Sequence, residues 1–261
     1  MHRIDVYKRQ KGVITLNKIY TFTQRNTKTK QKENKGTLKF NSVGENKAEL
    51  YFYGDIVSDS WQSYWYEEDK CPQDIVDFLA ELNSYQAIDI YINSGGGSVH
   101  GGLAIYNILK RYPGEKTVYV DGIAASIASV IALSGDKVVI PSNAQFMIHK
   151  PWSYAYGSAD ELRKCADSLD VCQESIMNVY MEHVKENVSR AAIEEMVNKE
   201  TWLTGKQAAE YFDIEVEECK EIVACESDYF DKYNHVPNFS HKSDKENNIE
   251  LLQVELDLLG L

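Results

Sequence analysis

Three residues far apart in this chain have the types that an acyl-transfer centre needs. Ser126 stands in Gly122-Ile-Ala-Ala-Ser-Ile-Ala-Ser129, His149 in Met147-Ile-His-Lys-Pro151, and Glu200 in Lys199-Glu-Thr-Trp-Leu203. In that order they offer a hydroxyl nucleophile, a base and a carboxylate to orient the base. A neutral serine attacks carbonyls poorly until an imidazole takes its proton, so the three types are useful only as a set. Gly122, Ala124 and Ala125 leave little side-chain bulk before Ser126, as a sharp strand-to-helix turn requires. Free N–H groups at the start of the following helix favour negative charge on an acyl oxygen. Close helix packing through small residues is the competing reading of the same run. Ser129, one turn along, is expected to be buried in packing.

Asn93-Ser-Gly-Gly-Gly97 lies between a strand and a helix, where glycines let the backbone approach a ligand with N–H groups free to donate. No Gly-Lys-Ser/Thr follows and the spacing fails GxGxxG, so an oxyanion hole or a cradle for a substrate strand fits better than a phosphate loop. Of six histidines, His2, His235 and His241 fall in the terminal regions, His100 follows the glycines, and His183 belongs to a long helix. Only His149 closes an apolar strand, Phe146-Met147-Ile148, ahead of Pro151, which cannot continue a ladder. A satisfied surface histidine is the alternative there. Glu200 is one carboxylate among many, distinguished by a loop setting before Trp202-Leu203-Thr204-Gly205. The chain has no HExxH and no Cys/His ligand spacing, so neither a metal nor another cofactor is expected.

The elements that must position these groups alternate. Strands are expected at Ala48–Gly54, Ile88–Ile92, Thr117–Val120 (ending in a Gly122 turn), Lys137–Ile140, Gln145–Ile148 and Ile214–Val216. Helical spacing runs through Gln73–Leu82, Leu103–Leu109, from about Ser126, Ala159–Asn187, from a Ser189 cap to Val197, and Thr204–Phe212. This is a layered α/β pattern.

With 43% hydrophobic residues in 261, one domain with appendages is affordable. The net charge of −12 is uneven: residues 1–36 carry ten Lys/Arg against two Asp/Glu. We divide the chain into a basic leader over 1–36, expected to be disordered, a domain over 37–224, and an acidic polar tail over 225–261 with a Leu-rich end. An acidic body disfavours nucleic acid. Five cysteines without a CxxC pair suit a reducing compartment; Cys165 and Cys172 are expected to be buried thiols. The most apolar stretch, Ile123 to Leu133, is too short to cross a bilayer, and no signal peptide is evident, so a cytoplasmic location is expected.

Taken together, these motifs resemble the ClpP-type serine peptidase family (peptidase S14), on the fold of repeated ββα units with a protruding handle helix that it shares with crotonases. The resemblance covers roughly residues 45–223. It is carried by Tyr53-Gly-Asp-Ile56, Tyr91-Ile-Asn-Ser-Gly-Gly-Gly97, Gly102-Leu-Ala-Ile-Tyr106, Gly122–Ser126, Met147–Pro151, Trp202–Gly205 and Ala209-Glu-Tyr211. It implies that Ser126 attacks the scissile carbonyl and that His149 is general base, then acid. Gly97 and Ile127 would offer N–H groups to the oxyanion, with Gly96 in the same substrate cradle. Glu200 stands where the family has aspartate, with Asp213 a poorer candidate, and Gly95 stands where the family usually has proline.

The Ala48-Glu-Leu-Tyr51 approach to the Gly-Asp turn, the Ser60-Trp61 pair and Glu200 are more like the head-maturation (prohead) proteases of tailed phages and prophages. That resemblance implies an ATP-independent endopeptidase cleaving scaffold and capsid proteins in the host cytoplasm. A proteolytic subunit served by an AAA+ unfoldase and a catalytically silent ring-forming assembly protein are the alternatives. The family implies a ring-forming homo-oligomer, a heptamer or two stacked heptamers, with residues Ala159–Asn187 as the handle.

Overall fold

Period-two alternation builds the centre of the sheet. In the strand Ala87–Ser94 (β5), Ile88, Ile90 and Ile92 are buried on one face, while Tyr91 points to the other. Tyr51, Tyr91 and Tyr119 stand in register on that second face, with rings stacked at 4.7 and 5.3 Å. The computed structural model describes residues 3–10, 13–25, 32–43, 47–56, 86–219, 227 and 229–237. The expected helix over Gln73–Leu82, the Ser60-Trp61 pair and the Leu-rich end lie outside the described residues.

Among the described residues, ten strands form one sheet. Arg3–Gln10 (β1), Val13–Arg25 (β2), Lys32–Val43 (β3) and Lys47–Gly54 (β4) pair antiparallel in sequence order. From β4 the ladder turns parallel, through β5, Glu115–Ala125 (β6), Lys137–Pro141 (β7) and Glu215–Glu217 (β10). Gln145–Ile148 (β8) adds in parallel to the end of β6 and pairs antiparallel with Thr201–Thr204 (β9). The helices are Val99–Lys110 (α1), Ile127–Ala132 (α2), Ala159–Glu182 (α3), Arg190–Asn198 (α4) and Gly205–Tyr211 (α5). This parallel-dominated α/β architecture, with one long helix projecting from it, is the fold expected from the resemblance.

Several boundaries differ from the sequence reading. Strands β1 to β3 run through the stretch expected to be a disordered leader. The β-branched and aromatic run Val13-Ile-Thr-Leu-Asn-Lys-Ile-Tyr-Thr-Phe-Thr23 supplies the propensity that the charge count obscured. Gly122 does not end β6. The strand continues to Ala125 because it changes partner: Thr117–Tyr119 pair with β7, Ile123–Ala125 with β8. The ladder to β5 shifts register at the same place, between Ile92 and Ser94.

Helix α3 stops at Glu182, five residues before the expected end at Asn187. His183 leaves helical geometry, and Val184 bridges to Phe212. Its start is fixed by a capping box, Ser158 accepting from the Glu161 N–H while the Glu161 carboxylate accepts from Ser158. The buried part of α3 is confined to its last two turns, at Ile176, Met177, Val179 and Tyr180; the earlier turns project, with Val171 67% exposed. For that reason Cys165 and Cys172 are half-buried rather than core thiols. No helix among the described residues is long and apolar enough to span a membrane.

Candidate active site

The strands place the chemistry at their carboxyl ends. Strand β6 ends at Ala125, and Ser126 turns the chain into α2 with φ 56° and ψ −129°, a conformation L-residues rarely adopt. The Ser126 N–H donates to the Met147 carbonyl at 2.9 Å, which ties the turn to β8 two residues before His149. His149 follows the end of β8, and its Nε2 lies 2.7 Å from Ser126 Oγ. This is the hydrogen bond that a base needs to take the serine proton. Burial lowers the His149 pKa from 6.5 to about 4, although the Glu200 charge pulls the other way. At neutral pH the imidazole is therefore unprotonated and able to accept.

The glycine loop passes beside this pair. Asn93 Oδ1 accepts from the Ile123 N–H at 3.2 Å, which joins the loop to β6. The Ile56 N–H donates to Gly96 O and the Ser98 N–H to Ile56 O, so Gly97 turns its own N–H away from Ile56. Its φ is +145°, and a Cβ there would sit 1.8 Å from Ile56 O, so only glycine fits. Gly97 and Ile127 N–H make no hydrogen bond among the described residues; the Ile127 donor is one of the orphans at a helix start. Gly96 differs, because its N–H donates to Ser94 Oγ at 3.1 Å. A Cβ at Gly96 would lie 2.7 Å from Ser126 Cβ, so the missing side chain gives the nucleophile clearance.

Ser126 and His149 also border an apolar recess whose other walls are Val99, Ile127, Val130, Pro151, Ile176 and Tyr180. Ser129 is fully buried, as expected, and bonds to Ser126 O and the Tyr180 hydroxyl.

Glu200 lies near the pair but is held elsewhere. It follows the end of α4 at φ 53°, and its carboxylate accepts from the backbone N–H of Asn234 (2.9 Å) and His235 (2.7 Å) and from the Asn234 side-chain amide (3.1 Å). The Trp202 indole adds a longer contact at 3.5 Å. Burial pushes its pKa up, but these donors prevail and hold it below the usual carboxylate value. Among the described residues no hydrogen bond joins Glu200 to His149; its action on the imidazole is through charge. Asp213 is exposed, and its N–H bonds to His183 O, away from the pair.

Sequence reasoning missed residues 227–237. Tyr233 donates its hydroxyl to Gly95 O at 2.6 Å and sets its ring edge-on to His149 at 5.0 Å. No spacing rule brings position 233 beside position 95. Among the described residues no cluster of metal-ligating side chains occurs.

A Clp protease family model matches residues 67–213, more than half of the chain. The chain is 32% identical over 130 residues to the ATP-dependent Clp protease proteolytic subunit 3 of Streptomyces coelicolor, covering 48% of this chain and 57% of that protein. It is 31% identical over 139 residues to proteolytic subunit 1 of Streptomyces avermitilis, 51% of this chain and 61% of that one. With the proteolytic subunit of Ligilactobacillus salivarius, identity is 33% over 141 residues, 51% and 68% of the two chains. The matches thus span about three fifths of these relatives' lengths. With the parallel sheet, the glycine loop and the Ser126 turn in place, the family match has a structural counterpart: the chain belongs to the Clp protease family.

Proposed function

We propose that the protein is a serine endopeptidase in which Ser126 attacks the scissile carbonyl while His149 takes its proton and returns it to the leaving amine. The observation that carries this reading is the 2.7 Å contact between Ser126 Oγ and a buried, unprotonated imidazole. Gly97 and Ile127 N–H are the donors for the tetrahedral oxyanion. The apolar recess beside Ser126 suits an apolar substrate side chain at the cleaved bond. Glu200 raises the basicity of His149 electrostatically, against the burial that lowers it.

The substrate is an extended polypeptide, and the working form is a closed homo-oligomeric ring with the sites facing its interior. The exposed turns of α3 supply the surface for such an assembly. Two settings for this activity follow from two sets of features. Glu200 and the Ala48–Tyr51 approach favour head maturation, with capsid or scaffold protein as substrate. The relatives named as ATP-dependent proteolytic subunits favour service by an unfoldase.

A fluorophosphonate probe tests the shared chemistry. It should form a covalent adduct at Ser126 that Ser126→Ala abolishes; a folded wild-type chain that never labels overturns the reading. Co-expression with a capsid precursor, compared with ATP-dependent degradation of an unfolded protein alongside an unfoldase, then separates the two settings.

A further inference from the structure

Ser227 and residues 229–237 lie beyond the family match and cross the site that the proposed function uses. We propose that this segment is an intramolecular strap that occupies the substrate-binding edge of the Ser126–His149 site, so that a polypeptide substrate must displace it. This regulation rests on the peptidase reading and concerns access to the same site.

Four observations carry it. The Tyr233 hydroxyl takes Gly95 O at 2.6 Å, a carbonyl on the loop edge where an extended substrate would pair its backbone. Its ring stands against His149 and is itself 8% exposed, sharing a buried cluster with Ile123, Ala125 and Met147. Beyond Tyr233, three donors from Asn234 and His235 converge on the Glu200 carboxylate, so the strap fastens to the acid whose charge acts on His149. Before Tyr233, Ser227 Oγ donates to Asp55 Oδ1 at 2.5 Å.

The loop is shaped to admit this segment. A Cβ at position 95 would come within 2.2 Å of Ser227 Oγ, so a proline there would collide with the strap. The missing side chain at Gly95 thus gives the segment room.

The strap lies across the site without being posed for cleavage. Among the described residues, none of its carbonyls accepts from Gly97 or Ile127 N–H, and none of its residues lines the apolar recess. It therefore acts as a displaceable occupant and not as the chain's own substrate.

The test is the second-order rate of fluorophosphonate labelling at Ser126, with hydrolysis of a fluorogenic peptide alongside, in the full-length chain. Tyr233→Ala removes the contact with Gly95 and His149, and His235→Pro removes one backbone donor to Glu200. Both variants should label and hydrolyse about tenfold faster than wild type, on the order expected when a closed state loses one or two hydrogen bonds. A synthetic peptide spanning 227–237, added in excess to Tyr233→Ala, should slow it again. Equal rates in wild type and both variants, with labelling at Ser126 in all, overturn the strap and leave the peptidase reading standing. No labelling in any folded variant overturns the peptidase reading and the strap with it.

Discussion

Ser126 and Glu200 are the two non-glycine residues at positive φ among the described residues, at 56° and 53°. The first is the nucleophile of the proposed mechanism, and the second anchors the strap beside its base. Such conformations cost about 1–3 kcal/mol each and persist only where the surroundings enforce them. For Ser126 the enforcing contacts are the Met147 carbonyl on its N–H and Ser129 on its carbonyl. For Glu200 the position follows a helix end, where glycine or asparagine is usual.

Strain at the nucleophile predicts that activity and stability oppose each other there. Ser126→Gly should abolish labelling while raising unfolding free energy by about 1 kcal/mol, since glycine adopts the same backbone without penalty. Chemical denaturation of the two chains measures the difference; a less stable glycine variant contradicts the assignment of strain.

The low His149 pKa sets a pH profile. Its partners in the fold are Ser126 Oγ, the Glu200 charge and the Tyr233 ring, and burial outweighs Glu200. Labelling should hold as pH falls past 6.5 and decline only toward about 4, where the imidazole protonates. Removing Tyr233 should wet the ring and move this acid limb up toward 6.5. The same shift bears on stability. The folded pKa lies below the unfolded one, so the unfolded chain binds more protons between about 4 and 6.5. The contribution is fully present above 6.5 and is lost as pH falls through the folded value, a change of about 3 kcal/mol. A pH series of denaturation midpoints for wild type and His149→Gln measures it.

Gly97→Ala should be more damaging than a one-carbon change suggests. Its φ alone costs about 1–3 kcal/mol in a residue with a Cβ. The added carbon would also sit 1.8 Å from Ile56 O, so the loop must move. We expect loss of labelling and a lower melting temperature. Retained labelling at full rate would show that the Gly97 N–H is not part of the oxyanion site.

Glu200→Gln should release the strap at its far end, because an amide presents one acceptor where the carboxylate presents two. Hydrogen exchange at the Asn234 and His235 amides reports this: slow in wild type, faster in the variant. Equal protection in both chains would mean that the carboxylate does not hold the segment.

What could be read from the sequence follows from how local the signals are. Ser126 and His149 each sit in a short motif at an element end, so their types and surroundings were visible without knowing the fold. The order of strands and helices from Ile88 to Val216 was visible for the same reason, except for the short strand Thr201–Thr204, which was read as loop because its pairing with β8 is a tertiary event. Glu200 was placed in a loop correctly, but the groups that bond its carboxylate come from positions 234 and 235. The contacts between Tyr233 and Gly95 and between Ser227 and Asp55 join positions 138 and 172 residues apart, and no periodicity reports them. The amino-terminal strands were hidden for another reason: lysines and asparagines interleaved with β-branched residues read as charge before they read as alternation. Helix α3 was found by its period, but its end was not, because the bridge from Val184 to Phe212 is a tertiary event.

The bond from the Ser126 amide to the Met147 carbonyl means that the attacking hydroxyl and the imidazole ride on one platform, the parallel pair of β6 with β8. Lifting the carboxyl-terminal segment away would leave their alignment untouched. Latency in this molecule would then be a matter of traffic to a machine already assembled, and its release could be as quick as the departure of a few side chains.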